Sequence, residues 1–126
     1  MNFKAFNKFC QSLPATTYVR QWGDSHVWKV GGKVFAIGSE GEDEESYSFK
    51  TTPIDFEILK EQQGLRGAPY LASRGLKWIQ HYAQPGLNDK QLRNYLELSH
   101  RIVALGLSKK KRLELGLKIE TEKGLR

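Results

Sequence analysis

The sequence predicts one α+β domain, an antiparallel sheet of about five strands with helices packed on one face, in the order α-β-β-β-β-α-β-α. Three observations carry this. A length of 126 residues suits a single domain. Between residues 16 and 50, four short segments rich in β-branched and aromatic residues follow one another through connections short enough to imply antiparallel pairing. Helical periodicity brackets them, near residue 3, after residue 52 and after residue 88.

The first segment, residues 2–13, sets Phe3, Phe6, Phe9, Cys10 and Leu13 on one helical stripe, with Asn2 as its cap and Pro14 as its stop. Thr16 to Gln21 is the first strand and Gly23-Asp24-Ser25 a turn. His26 to Val30 alternates, with His26, Trp28 and Val30 on one face and Val27 and Lys29 on the other. Gly31-Gly32 suits a two-residue hairpin whose positions both favour φ > 0, and Lys33 to Gly38 is the return strand. Glu40 to Glu45 puts five carboxylates in six positions, which reads as a solvated loop. Ser46 to Lys50 alternates again, with Tyr47 and Phe49 sharing a face.

Thr52, Pro53 and Asp55 open a second helix expected to run to about Gln63 and end at Gly64. The Gly64–Gly75 stretch reads as an irregular loop, and Leu76 to Tyr82 as the fifth strand. Asn88 with Gln91 makes a capping box, and Leu87 can staple onto Leu92. The helix that follows turns Leu92, Tyr95, Leu96, Ser99, Ile102 and Val103 inward until Gly106. Beyond it, Leu113, Leu115, Leu117 and Ile119 alternate with Glu114, Gly116, Lys118 and Glu120, a strand period that could add to a sheet edge here or in a second copy. Residues 1–106 are thus the domain and residues 107–126 a basic tail.

Twenty Lys/Arg stand against fourteen Asp/Glu, a net charge of +6. The excess is uneven, with seven basic against three acidic residues after position 106. A basic tail suits an acidic partner such as nucleic acid, or simply keeps the chain soluble. A single cysteine excludes an internal disulfide and fits a reducing, cytoplasmic setting. The longest apolar run, Val34 to Ile37, is far too short to span a membrane. A monomer is expected, with a dimer through the alternating tail as the variant.

Several stretches taken together resemble the MmcQ/YjbR family. They are Trp22-Gly23-Asp24, the run from Val27 to Ala36, Phe49-Lys50-Thr51, Gly67-Ala68-Pro69-Tyr70-Leu71, Trp78-Ile79, the helix end Leu98 to Val103, and Leu107-Ser108-Lys109-Lys110-Lys111. The resemblance covers about residues 3 to 113. It implies a CyaY-like (frataxin-like) sandwich and a double-wing arrangement of hairpins for binding DNA. His100 stands where the family commonly has a tyrosine.

No catalytic set is apparent in the residues themselves, and no cofactor is implied. Asp24, Ser25 and His26 are triad residue types, but consecutive residues point apart. Cys10 reads as a buried thiol on an apolar stripe. His26, His81 and His100 lack ligand spacing for a metal. The Glu40–Glu45 loop reads as a solvated charge run before a weak cation site. Neither Gly31-Gly32-Lys33 nor Gly64 to Gly67 has the frame of a phosphate or dinucleotide loop.

The suggestive cluster is Arg66 to Tyr82, where Arg66, Arg74, Lys77 and His81 mingle with Tyr70, Trp78 and Tyr82 and no acidic residue intervenes. Cations neutralise phosphates and exposed aromatics stack on bases, whereas the same rings can equally be core, the favoured place for Trp78. Lys29 and Lys33 flank the glycine turn as a basic wing, and Lys109, Lys110, Lys111 and Arg112 form a second patch. Two functions follow as expectations. The first is a non-catalytic DNA-binding protein that contacts mainly the phosphate backbone through Lys29, Lys33, Arg66, Arg74, Lys77, Lys109, Lys110, Lys111 and Arg112. The alternative is a protein-interaction or small-ligand module with a pocket near Trp22, Trp28, Tyr70 or Trp78 on an aromatic-lined sheet face.

Overall fold

The computed structural model describes residues 1–117. Its scaffold is one antiparallel sheet with strands β1 (Thr16–Gln21), β2 (Ser25–Val30), β3 (Lys33–Ser39), β4 (Ser46–Lys50), β5 (Leu65–Gly67) and β6 (Trp78–His81), in spatial order β1-β2-β3-β4-β6-β5. The helices are α1 (Phe3–Ser12), α2 (Pro53–Leu59), α3 (Asp89–Leu105) and α4 (Lys109–Glu114).

Capping chemistry sets the helix starts. The Asn2 Oδ1 accepts from Ala5 N at 2.8 Å, and Thr52 Oγ1 accepts from Asp55 N at 3.2 Å ahead of Pro53. Asn88 and Gln91 bond reciprocally, at 2.8 and 3.0 Å. The glycine hairpin forms as its composition requires, with φ of +59° at Gly31 and +81° at Gly32.

Register sorts the two sheet faces. Trp28, Ala36, Phe49 and Ile79 lie in one cross-strand row, and His26, Gly38, Tyr47, His81 and Leu65 in the next. Against this face α1 lies over β1 to β3, α3 over β2 to β4, and α2 over β5 and β6. Phe6, Phe35, Phe49, Leu59, Ile79, Leu92 and Leu96 are fully buried there. Burying each such side chain stabilises the fold by about 1.5–3 kcal/mol, so this layer holds the domain together. Among the described residues no α-helix covers the opposite face. Its central row runs Val19, Val27, Ile37, Ser48, Gln80 and Arg66 across all six strands, about 24 Å at the usual strand spacing.

Four expectations are corrected. The sheet has six strands, because Leu65–Gly67, placed in an irregular loop, pairs with β6. Three residues are too few to show alternation, and their partner lies more than ten residues on. The fifth predicted strand is shorter, Trp78–His81. The second helix stops at Leu59 and continues as turns to Gly64. Residues 109–114 form a helix, so Leu113 and Glu114, where the strand alternation was expected to begin, are helical. Ser108 Oγ accepts from Lys111 N at 3.1 Å, and Gly116, at φ +71°, lets Leu117 N bond Arg112 O at 2.9 Å. Gly116, within the segment that alternates, terminates this helix. In α3, Ile102 is half-buried while His100 and Ala104 point fully inward. Leu107 and Leu117 pack into the core, and the alternation expected at Lys118 to Glu120 lies outside the described residues.

Candidate nucleic-acid interface

Within the strands and their hairpin loops, the strand axis separates charge, while Asp55 and Glu57 of α2 follow Lys50 on the helix side. The β2–β3 turn, the end of β4 and the start of β6 lie at one end of the sheet, with Lys29, Lys33 and Lys50. The tail helix joins them there. A Cβ on Gly31 would sit 2.6 Å from Leu107 Cδ1, so the hairpin tip abuts the residue just before Ser108 and Lys109 to Lys111. The loop with Glu40, Glu42, Asp43, Glu44 and Glu45 connects β3 to β4 at the opposite end, beside the β1–β2 turn. Asp24 in that turn is ion-paired to Arg20 at 2.7 Å.

The helix-free face between these ends has no carboxylate in any of its strand rows. Besides the central row it carries Gln21, Ser25, Ser39 and Ser46 toward the acidic end, and Thr17, Lys29, Val34, Lys50 and Trp78 toward the basic end. Arg66 lies on this face. Its Nε donates to Gln80 Oε1 at 2.8 Å, and its guanidinium stands 4.3 Å from the Tyr82 ring centre. Among the described residues, Lys29, Lys50, Arg66 and Arg74 make no ion pair.

The β5–β6 connection curls around the basic end of the sheet. Ala72, in a short 3-10 turn, packs on the core side, while Pro69, Tyr70, Leu71 and Arg74 line the open side. Between this connection and the sheet lies a cavity of about 630 Å³. Trp22 reaches it from the β1–β2 turn, at the far end of the strands, and Ser25, Ile37, Ser39, Ser48 and Gln80 form its floor. The Ser25 hydroxyl donates to Trp22 O at 3.1 Å and lies 2.9 Å from the Ser39 hydroxyl, fixing the turn to the floor. Trp22 and Tyr70 stay exposed, at 61% and 71%, and the Arg74 guanidinium is 5.6 Å from the Tyr70 ring centre.

The predicted cations therefore divide. Lys29, Arg66 and Arg74 border the open face, Lys50 joins them unforeseen, and Lys33 with Lys109, Lys110 and Lys111 gathers at the adjoining end. Lys77 falls elsewhere. Its ammonium is 5.0 Å from the Phe56 ring centre on the α2 side, near Glu57. Arg112 turns inward, and its Nη1 is buried with no hydrogen-bond partner among the described residues. Trp78 and Val27 are buried on the open face, apart from the main core cluster.

The other candidate groups are packed into the fold. Ser25 faces the open side while His26 faces α1. There the Trp28 indole N–H donates to Asn7 Oδ1 at 2.9 Å, which orients the amide so that its nitrogen meets His26 Nδ1 at 3.1 Å. The amide nitrogen only donates, so Nδ1 accepts, from it and from the Tyr18 hydroxyl at 2.7 Å, and the ring proton sits on Nε2. Burial pushes the Cys10 thiol well above its ordinary range, so it stays protonated. Among the described residues no three His, Cys, Asp or Glu side chains gather as metal ligands. No described helix is long and apolar enough to cross a membrane.

The sheet with its helix layer is similar to known folds. A crystal structure of a Deinococcus radiodurans protein with a DUF419 domain superposes with a TM-score of 0.81 at 23% identity, covering 99% of this chain and 95% of that one. A Pseudomonas syringae protein superposes with a TM-score of 0.66 at 18% identity, covering 82% of this chain and 99% of that one. No curated protein matches the sequence. The YjbR family model matches residues 11–102, from the end of α1 through most of α3 and so including every strand. With the whole sheet and its bracing helix inside that match, the chain belongs to the YjbR family.

Proposed function

We propose that this protein binds nucleic acid, mainly through the phosphate backbone, using the helix-free sheet face and its basic end. One observation supports this above the others. Lys29, Lys33, Lys50 and Lys109 to Lys111 come from separate segments to one end of the sheet, next to a face without carboxylates, while the acidic loop lies at the far end. A field of one sign along a broad surface attracts a polyanion and releases its counterions. Base-specific readout is a minor part of this, because the cations are mostly flexible lysines.

The test is affinity for nucleic acid as a function of salt. Log K should fall linearly with log salt, and Lys29→Gln or Lys50→Gln should each lower the steepness by about one. Absence of binding at low salt, or affinity indifferent to salt, overturns the proposal. The cavity beside Trp22 and Tyr70 favours a second function, a small-ligand or protein-interaction module on the same face.

A further inference from the structure

Trp22 and Tyr70 share an unusual combination. Both adopt left-handed backbone, with φ of +54° and +72°. That conformation costs a non-glycine residue about 1–2 kcal/mol. Aromatic residues normally offset such a cost by burial, yet these two leave most of their surface in solvent. Glycine would suit either backbone better. Strain kept at two exposed rings that line one cavity points to a role for the rings themselves.

The chemistry around the rings narrows the occupant. Trp22 belongs to the β1–β2 turn and Tyr70 to the β5–β6 connection, at opposite ends of the sheet, and both line the cavity. Ser48 and Gln80 on the floor offer hydroxyl and amide groups, Ile37 offers an apolar patch, and Arg74 brings positive charge to the rim. Among the described residues no carboxylate lines the space. A flat ring with polar edges, attached to an anion, fits all of these features. Lys50 and Lys29 lie one row away on the same face, where a phosphate chain leaving the cavity would run.

We infer that this cavity receives an unpaired nucleobase, stacked on Trp22 and Tyr70, so that the preferred ligand of the face is single-stranded rather than duplex. The inference rests on the phosphate-directed binding proposed above. A base held in a duplex stack cannot enter a pocket, whereas one in a single strand enters without breaking a pair.

The experiment titrates the full chain with a short oligothymidylate and with a duplex of equal length, reading tryptophan fluorescence and anisotropy. Trp28 and Trp78 are buried, so Trp22 is the tryptophan open to quenching. Oligothymidylate should quench it, and the quenching should vanish in Trp22→Phe. Trp22→Asn and Tyr70→Asn remove a ring while keeping a residue tolerant of left-handed backbone. Each should weaken single-strand binding by about tenfold and leave the salt dependence unchanged. Duplex binding should hardly respond to either. Salt-sensitive binding without quenching, or with affinity unaltered in both Asn variants, overturns the pocket and leaves phosphate binding standing. No binding of either probe at low salt overturns both.

Discussion

The Ser99 hydroxyl donates to the Phe35 carbonyl at 2.6 Å and repairs a break in the sheet. The ladder between β2 and β3 shifts between Trp28 and Lys29, so Phe35 is an extra residue with no opposite partner on β2. On the other side, the β3–β4 pairing stops at Ala36 and Phe49. Ser99 Oγ also accepts from Lys50 N at 2.8 Å. One side chain from α3 thus fills the rung that Phe35 and Lys50 would have made directly. The repair also holds Lys50, at the basic end of the open face, in its place.

Ser99→Ala takes this partner from the buried Phe35 carbonyl and from the part-buried Lys50 N–H. Such a loss costs about 1–3 kcal/mol per buried group left unsatisfied. Urea denaturation should show the midpoint falling with an unchanged slope. Full stability in the alanine variant would mean that the sheet closes its own rung.

The two glycines of the β2–β3 turn should respond differently to alanine. Both have positive φ, so each substitution carries a strain of about 1–2 kcal/mol. At Gly32 nothing lies within 4 Å of the new methyl, but at Gly31 it meets Leu107 at 2.6 Å. Gly31→Ala should therefore destabilise more than Gly32→Ala. Pairing it with Leu107→Ala should recover part of the difference in a double-mutant cycle. Additive effects would show that the turn and the start of the tail segment do not touch.

The contrast between Gly31 and Gly116 shows what local sequence conveys. Two adjacent glycines between alternating segments name a hairpin, and Asn88 with Gln91 names a helix start, because all the interacting groups lie within a few residues. Gly116 is not legible locally, for the opposite reason. Its role depends on Ser108 starting a helix behind it and on Leu117 reaching the core, which the leucine alternation conceals. Leu65–Gly67 escaped notice because a three-residue strand is defined by its partner. The same limit applied to the site. Lys29, Arg66 and Arg74 were recognisable as cations, but Lys77 and Arg66 differ in fate only through the sheet face each occupies. Lys50 reads locally only as the end of an alternating strand beside Phe49, and the strain at Trp22 and Tyr70 has no signature in residue type. Their neighbouring glycines, Gly23 and Gly67, hint at turns without saying that the aromatic residue takes the unusual backbone.

Acid should weaken the fold. Burial pushes the pKa of His81 below its ordinary 6.5, outweighing Glu44, Asp89 and the Ala83 backbone, which favour the charge. His26 and His100 are lowered as well, chiefly by burial. The unfolded chain then binds more protons than the folded one below pH 6.5, so stability is full above that pH and declines as pH falls toward the folded values. Among the described residues neither His81 ring nitrogen has a well-formed hydrogen bond, so burial outweighs the groups that favour the charge. Denaturation midpoints measured from pH 8 to pH 5 should stay level at first and then drop. His81→Leu should flatten the drop, and an unchanged slope would place the acid sensitivity elsewhere.

Glycine at Trp22 or Tyr70 separates stability from binding. The substitution relieves left-handed strain of about 1–2 kcal/mol, while glycine's extra freedom in the unfolded chain takes back about 0.5–1 kcal/mol. Little burial is lost, since both rings are mostly exposed. Tyr70→Gly also gives up the contact with Arg74, worth about 0.5–1 kcal/mol at an exposed site. Each variant should therefore melt at, or slightly above, the wild-type temperature and still bind single strands more weakly. A loss above about 2 kcal/mol in either would identify that ring as structural. Its strained backbone would then be explained by packing, with no ligand required.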